Sequence, residues 1–382
     1  MQHSNRQADS SQQPSGLPVA AKLVSFLRPN PVRFTAVLVA SGLGLASAIP
    51  ALSTSFTAIA PVRSQQSQLI SQKPRQEILL VSYAVTKAAY DKIIPKFVAK
   101  WKKEKGQDVT IRTSYGGSGS QTRAILDGLE ADVTALALGA DTQKLQKGGL
   151  IKAGWEKELP NNSIVTKSVI AIVTRPGNPK KIKTWQDLDN AGVRVVTANP
   201  KTSGGARWNF LGLWGSVTET GGNDAKAQGF VSRVYKNAPV LPKDAREASD
   251  IFFKKGQGDV LLNYENEVIL EQQQLGSKSP YVIPSVNISI DNPIAVVDKN
   301  VDKRGTRAIS EAFAKFLFTP EAQREFASVG FRPVNATVAK QVGGKFPKVS
   351  KLYTVAEFGG WDSVQKRFFD DGAVFDKIYS RR

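Results

Sequence analysis

The 382-residue chain carries 52 lysines and arginines against 33 carboxylates, a formal charge of +19, and 41% of its residues are hydrophobic. That composition belongs to a globular protein rather than to a disordered chain or a multi-span membrane protein, and the length fits about two domains behind a targeting segment. Cysteine is absent and His3 is the only histidine, which excludes disulfides, thiol nucleophiles, cysteine zinc sites, Ser-His-Asp triads and HExxH motifs.

The first segment that stands out is residues 34–48, an uncharged run preceded by Arg28 and Arg33 and ending in Ala46-Ser47-Ala48. This pattern predicts an export signal within residues 1–60. Cleavage after Ala48 is favoured over Ala58-Ile59-Ala60, which Pro61 follows directly. Serine, threonine and glycine dilute the run and Pro50 interrupts it, so it makes a poor membrane anchor. The glycines around Gly42 lack the strand-turn-helix setting of a dinucleotide fingerprint, and without cysteine no lipid can be attached at a mature N-terminal thiol. Residues 61–76 read as a polar lead-in.

From Glu77 onward, apolar β-rich runs alternate with helical spacing. EILLVS predicts a strand, and Tyr90, Ile94, Phe97 and Trp101 a helix. DVTIRT, a helix with Ile125 and Leu129 four apart, and ADVTALAL follow. A second series runs through SVIAIVTR, a helix from Thr184, VRVVTA, helices from Ala206 and Asp224, and DVLLNY. ISIDNPIAVVD then predicts another strand, before helices over 308–317 and 321–327. This order predicts an α/β protein of two lobes, each with a mostly parallel sheet, right-handed crossovers and functional loops at the strand carboxyl ends.

Two of those loops resemble each other. Ser114-Tyr115-Gly116-Gly117-Ser118-Gly119-Ser120 follows one strand, and Lys201-Thr202-Ser203-Gly204-Gly205-Ala206 follows another. Each pairs glycines, which let the backbone turn its N–H groups toward one point, with hydroxyls at a helix start, so each could cradle an anion. One such loop alone reads as a serine-capped turn; one in each lobe favours binding. The first, with residues 82–86 beside it, holds no ionisable side chain other than tyrosine, and GxxxxGK[ST] occurs nowhere, which argues against nucleotide hydrolysis.

The positive charge makes nucleic acid, a membrane surface or a small anion the partners to weigh. The excess is diffuse: Lys102, Lys103, Lys105, Lys180, Lys181 and Lys183 alternate with carboxylates, and no arginine-rich arm or aromatic ladder is present. Trp208 and Trp214 read as core or lobe packing. Arg207 and Arg246 lie beside candidate positions and could act on an anion or simply face solvent. Glu265 and Glu267 are two apart, do not share a helix face, and read as structural or partner-facing.

The strings VSYAVTKAAY, YGGSGSQ, LEADVTALAL, RPGNPKKIKTWQDL, ANPKTSGGARWNFLGLWG, FFKKGQGDVLLNYENE and FGGWDSVQKRFFDDG resemble the sulfate-binding proteins that serve ABC transporters of sulfate and thiosulfate. The resemblance runs from about Glu77 to Arg382. It implies a two-lobed type II periplasmic-binding fold, with residues 77–166 and 286–382 forming one lobe, 167–285 the other, ligand in the cleft and the crossing segments as hinges. It further implies an exported, periplasmic, monomeric carrier that captures sulfate or thiosulfate and delivers it to membrane permease subunits, with no cofactor, no metal, no nucleic-acid partner and no catalysis.

By the same resemblance, the ligand contacts are the hydroxyl of Ser203 and the backbone N–H groups of Ala84, Ser118, Gly204, Gly205 and Ala245, with Tyr264 completing the set. Two positions depart from the family pattern. Ala84 stands where aspartate is usual, which a backbone contact tolerates; Tyr264 stands where an indole N–H usually donates, and a phenol O–H also donates. A binder of molybdate or phosphate, an exported ester hydrolase and a basic nucleic-acid binder remain the alternatives.

Overall fold

The computed structural model describes residues 75–276 and 279–380. The expected export segment and all but the end of the lead-in lie outside the described residues.

The chain opens with β1 (Gln76–Tyr83), α1 (Lys87–Lys105), β2 (Val109–Gly116), α2 (Ser118–Leu126), β3 (Val133–Ala135) and α3 (Gly139–Lys147). After β4 (Ile164–Ser168), β5 (Ile170–Thr174) and β6 (Val195–Val196) come α4 (Gly204–Thr218), α5 (Asp224–Lys236), α6 (Ala245–Ser249), β7 (Val260–Tyr264) and α7 (Glu265–Leu275). Next are β8 (Tyr281–Val282), β9 (Val286–Ile288), β10 (Ile290–Pro293), β11 (Ala295–Val296), α8 (Asp298–Arg304), α9 (Arg307–Phe316) and α10 (Pro320–Ser328). The chain closes with β12 (Arg332–Pro333), α11 (Ala336–Val342), β13 (Lys351–Tyr353), α12 (Gly360–Val364) and α13 (Val374–Tyr379).

Local sequence sets most of these bounds. In α1, Tyr90, Ile93, Phe97 and Trp101 form the buried stripe, and Gly106 ends the helix at φ 63°, its N–H returning to Lys102. The predicted α2 is shorter than the Ile125–Leu129 spacing suggested, because Gly128, just past the cap residue Asp127, takes φ 112°. The helix expected from Thr184 is only a 3-10 turn over Gln186–Asp189. There the Asp187 carboxylate accepts from the N–H groups of Lys183 and Thr184 and from the Thr184 hydroxyl, a side-chain turn that competes with helix. The strand expected across residues 288–298 divides into β10 and β11, which join different sheets.

The first main sheet has the order β11-β3-β1-β2, with β1 parallel to both neighbours and β11 antiparallel to β3. The second has the order β6-β7-β5-β8. The mostly parallel pairing expected of each sheet holds in the first; in the second it is confined to β6 and β7, and β5 runs antiparallel to β7 and β8. Only Val169 separates β5 from β4, so no crossover helix reverses its direction. The chain passes from one sheet to the other along this strand and returns along β9 and β10. Asn287 joins the two passages, accepting from Ile170 N–H (3.2 Å) and donating to Ile170 C=O (2.8 Å).

Helix α4 is buried from Gly204 through Ser216. A helix buried all round needs cover on every side, and the C-terminal segment supplies one of them. Phe368, Phe369 and Phe375 pack against Phe210, with ring centroids 5.4, 5.3 and 6.3 Å away, and β13 pairs with β9. This departs from the expected placement of residues 286–382 wholly with the first lobe: the end of the chain covers α4 and α5 of the second. The Tyr353 hydroxyl donates to the carbonyls of Leu211 and Gly212, where the helix comes closest.

A Cβ at Gly215 would lie 2.3 Å from that hydroxyl. Helix propensity alone predicts that Gly215→Ala stabilises by about 1 kcal/mol. The overlap predicts the opposite, a loss of about 1–3 kcal/mol, and urea denaturation of the variant distinguishes the two signs.

Candidate functional site

Where β1, β2 and β3 end in one lobe and β6 and β7 end in the other, the lobes meet around one small space. All seven predicted site residues line it. Ala84 and Ser118 come from the first lobe, and Ser203, Gly204, Gly205, Ala245 and Tyr264 from the second. Tyr83, Val85, Gly116, Gly117, Ala137 and Asp244 complete the wall. No lysine or arginine is among these lining residues.

Helix starts converge on this space. Ser118 opens α2, Gly204 and Gly205 open α4, Ala245 opens α6, and Tyr264 is the residue before α7. Ala84 opens a 3-10 turn, Ala84–Thr86, that runs directly into α1. First-turn N–H groups have no acceptor within their own helix, and each helix start carries about half a unit of positive charge. Helix α6 is brief, but a π-helical turn over Asp250–Lys254 continues it without a break.

The hydroxyls divide their roles. Ser203 caps α4, its oxygen accepting from Ala206 N–H at 3.3 Å, which leaves its proton to donate into the space. The Ser118 hydroxyl is already committed, donating to Asp141 Oδ2 (2.6 Å) and accepting from Ala137 N–H (3.0 Å), which leaves its backbone N–H as the donor it can offer. The Tyr264 hydroxyl is buried with no partner among the described residues. Burial, with the Glu267 and Asp141 charges beyond it, pushes the phenol well above its ordinary range, so it remains an O–H donor.

The glycines serve a different purpose from the one the sequence suggested. Gly117, Gly204 and Gly205 do not adopt positive φ; they permit close approach. A Cβ on Gly117 would lie 2.5 Å from Thr202 C=O, one on Gly204 2.5 Å from the Ala137 Cβ, and one on Gly205 2.7 Å from the Tyr264 ring. The first two contacts span the lobes. Gly119 N–H donates to Thr202 C=O at 3.1 Å and Arg123 to Lys201 C=O at 3.3 Å in the same seam.

Behind the wall lie charges that sequence reasoning left undecided or missed. Arg207 is buried and donates to Asp141 Oδ1 at 2.8 Å across the lobes, so one carboxylate holds both Arg207 and the Ser118 hydroxyl. Nothing in the sequence marks Asp141, because its partner is 66 residues away. Arg246 lies outside the inner space, paired with Glu267 (2.7 Å) and Glu271 (3.2 Å). Glu265 pairs with Arg332, so both acids serve structural ion pairs. Asn263, also missed, donates to Ala245 C=O and accepts from Tyr264 N–H, fixing two helix starts with one amide. Trp208 packs as core and donates to Ala137 C=O at 2.9 Å.

Among the described residues, no group of three or more acidic or histidine side chains could hold a metal ion, and no helix is long and apolar enough to cross a membrane. The arrangement is a chamber of N–H and O–H donors in the field of helix starts, suited to a small, fully deprotonated anion.

Comparison with known proteins agrees with this chemistry. The profile of the bacterial extracellular solute-binding proteins matches residues 78–332. A sulfate-binding protein of Synechocystis sp. is 58% identical over 83% of this chain and 90% of its own length. A thiosulfate-binding protein of Pseudomonas aeruginosa is 42% identical over 80% of this chain and 92% of its own. Among solved structures, the sulfate-binding protein of Mycobacterium tuberculosis superposes with a TM-score of 0.71 at 36% identity, covering 77% of this chain and all of that one.

Burial pushes the Glu267 carboxyl up to about 7 against the opposing pull of Arg246. An unfolded chain therefore releases this proton first, and stability falls as pH rises through that interval. Denaturant titrations should show Glu267→Gln losing less stability than wild type between about pH 4.5 and 7; an equal loss in both would remove Glu267 from the pH dependence.

Proposed function

The chain belongs to the bacterial extracellular solute-binding proteins, and we propose that it captures sulfate between its lobes and hands it to the membrane permease of an ABC importer. The observation that carries this reading is the donor-lined chamber. The N–H groups of Ala84, Ser118, Gly204, Gly205 and Ala245 and the hydroxyls of Ser203 and Tyr264 surround a site whose lining contains no cationic side chain. Sulfate near neutral pH has charge −2 and no proton, so it needs donors alone. Helix starts supply the compensating field without the desolvation cost of a buried lysine or arginine.

Selectivity follows from the same inventory. Hydrogen phosphate brings a proton that requires an acceptor, and an unsatisfied buried donor costs about 1–3 kcal/mol. Asp244, the one carboxylate in the lining, turns Oδ1 to its own helix, accepting from Glu247 N–H. Thiosulfate is likewise a proton-free dianion, and the relative of that name makes it the second reading. The protein works outside the cytoplasm as a monomer that binds and releases without catalysis. Its lobes, about residues 77–166 and 167–285 with later segments added to each, close about the paired crossings at Ile170 and Asn287.

Calorimetry of purified protein dialysed free of sulfate, at constant ionic strength, tests the proposal. Tight one-to-one sulfate binding with little response to phosphate is expected. Folded protein that ignores sulfate, or binds phosphate equally well, overturns the reading; thiosulfate binding as tight as sulfate establishes the second.

Ser203→Ala removes a buried charge-assisted donor and should weaken sulfate by about 1–3 kcal/mol, roughly fivefold to 150-fold. Tyr264→Phe keeps the ring against Gly205 and deletes only the hydroxyl, with a similar loss expected. Unchanged affinity in either variant removes that hydroxyl from the site.

A further inference from the structure

Lys201 stands two residues before Ser203, on the side of the loop away from the chamber wall. Its ammonium group meets four oxygens of the C-terminal segment: the carbonyls of Phe369 (3.0 Å) and Asp370 (3.3 Å), Asp371 Oδ1 (3.2 Å) and Asp376 Oδ2 (2.9 Å). Asp376 is the better held of the two carboxylates, since it also accepts from Gly372 N–H at 2.8 Å while Asp371 is fully exposed. The segment is itself anchored, because Phe368 and Phe369 sit in the aromatic cluster around Phe210.

The loop that Lys201 belongs to is gripped from the opposite direction. Arg123 donates to its carbonyl, and Gly119 N–H donates to the carbonyl of Thr202. The first lobe therefore pulls on the front of the loop and the C-terminal segment holds its back. Between them, Ser203, Gly204 and Gly205 must be kept within a few tenths of an ångström for their donors to converge.

We propose that Lys201 is a positioning residue for the anion-binding loop, acting through Asp376 and the C-terminal segment rather than through its own charge. A lysine suits this place, since a compact ammonium on a flexible stem turns three donors from one point toward oxygens on several sides. The Asp376 carboxylate balances its charge, with Asp371 beside it, and it lines no part of the chamber.

This inference rests on the sulfate reading, so wild-type protein is titrated first and the variants are then measured with whichever tetrahedral anion it binds. Failure of wild type to bind sulfate counts against that reading alone. Lys201→Met should weaken binding about tenfold, Asp376→Asn about threefold, and the double variant no more than Lys201→Met, because the two act through one contact. The sign for Asp376→Asn is decisive. Loss of a nearby negative charge by itself would tighten anion binding, whereas a released loop weakens it. Tighter or unchanged binding by Asp376→Asn overturns the proposal, as does unchanged binding by Lys201→Met. Should Lys201→Met fail to fold, the direction of the change in Asp376→Asn alone upholds or overturns the proposal.

Discussion

Backbone N–H groups at helix starts have no partner within their own helices, and this chain gathers several such groups around one small space. Left unpaired in a buried place they would be costly. A dianion placed between them would give these groups acceptors, with the macrodipoles supplying charge that never has to be desolvated. Much else in the two lobes serves to bring these helix ends to one point. Ser203 and Asp244 cap their helices, and Asn263 spans from Ala245 to Tyr264.

Convergence at this range leaves no room for side chains. Gly117, Gly204 and Gly205 are small because carbonyls, a methyl group and a phenol ring from neighbouring elements occupy the positions of their missing Cβ atoms. The charges are correspondingly placed one layer back. Asp141 takes Arg207 from the opposite lobe and the Ser118 hydroxyl from its own, so a single buried carboxylate links lobe contact to the orientation of a site residue. Buried pairs of this kind add little net stability but fix register, because few alternative arrangements satisfy them.

The C-terminal segment belongs to the same construction. Helix α4 starts at two of the residues that line the space and is buried around its whole circumference, so it must be covered on the face away from the sheet. Phe368, Phe369 and Phe375 provide that cover, and Lys201 ties the loop before α4 to the same segment. Loop, helix and chain end thus share one continuous set of contacts, through the Lys201 ammonium and the rings around Phe210.

The alternation of strands and helices, the two glycine-hydroxyl loops, and the near absence of histidine and cysteine that leaves donors as the available chemistry are all legible in the chain before it folds. Those are local matters, written in spacing and residue type. Spacing misleads at Thr184, where Asp187 makes a competing turn, and residue type misleads over the glycines, because close approach is invisible until the neighbour is known. Folding had to establish that β5 runs antiparallel, that the chain end covers the second lobe, and that Asp141, Asn263 and Lys201 stand behind the site. Each of these joins residues far apart along the chain, and a contact of that kind exists only once packing has brought its partners together.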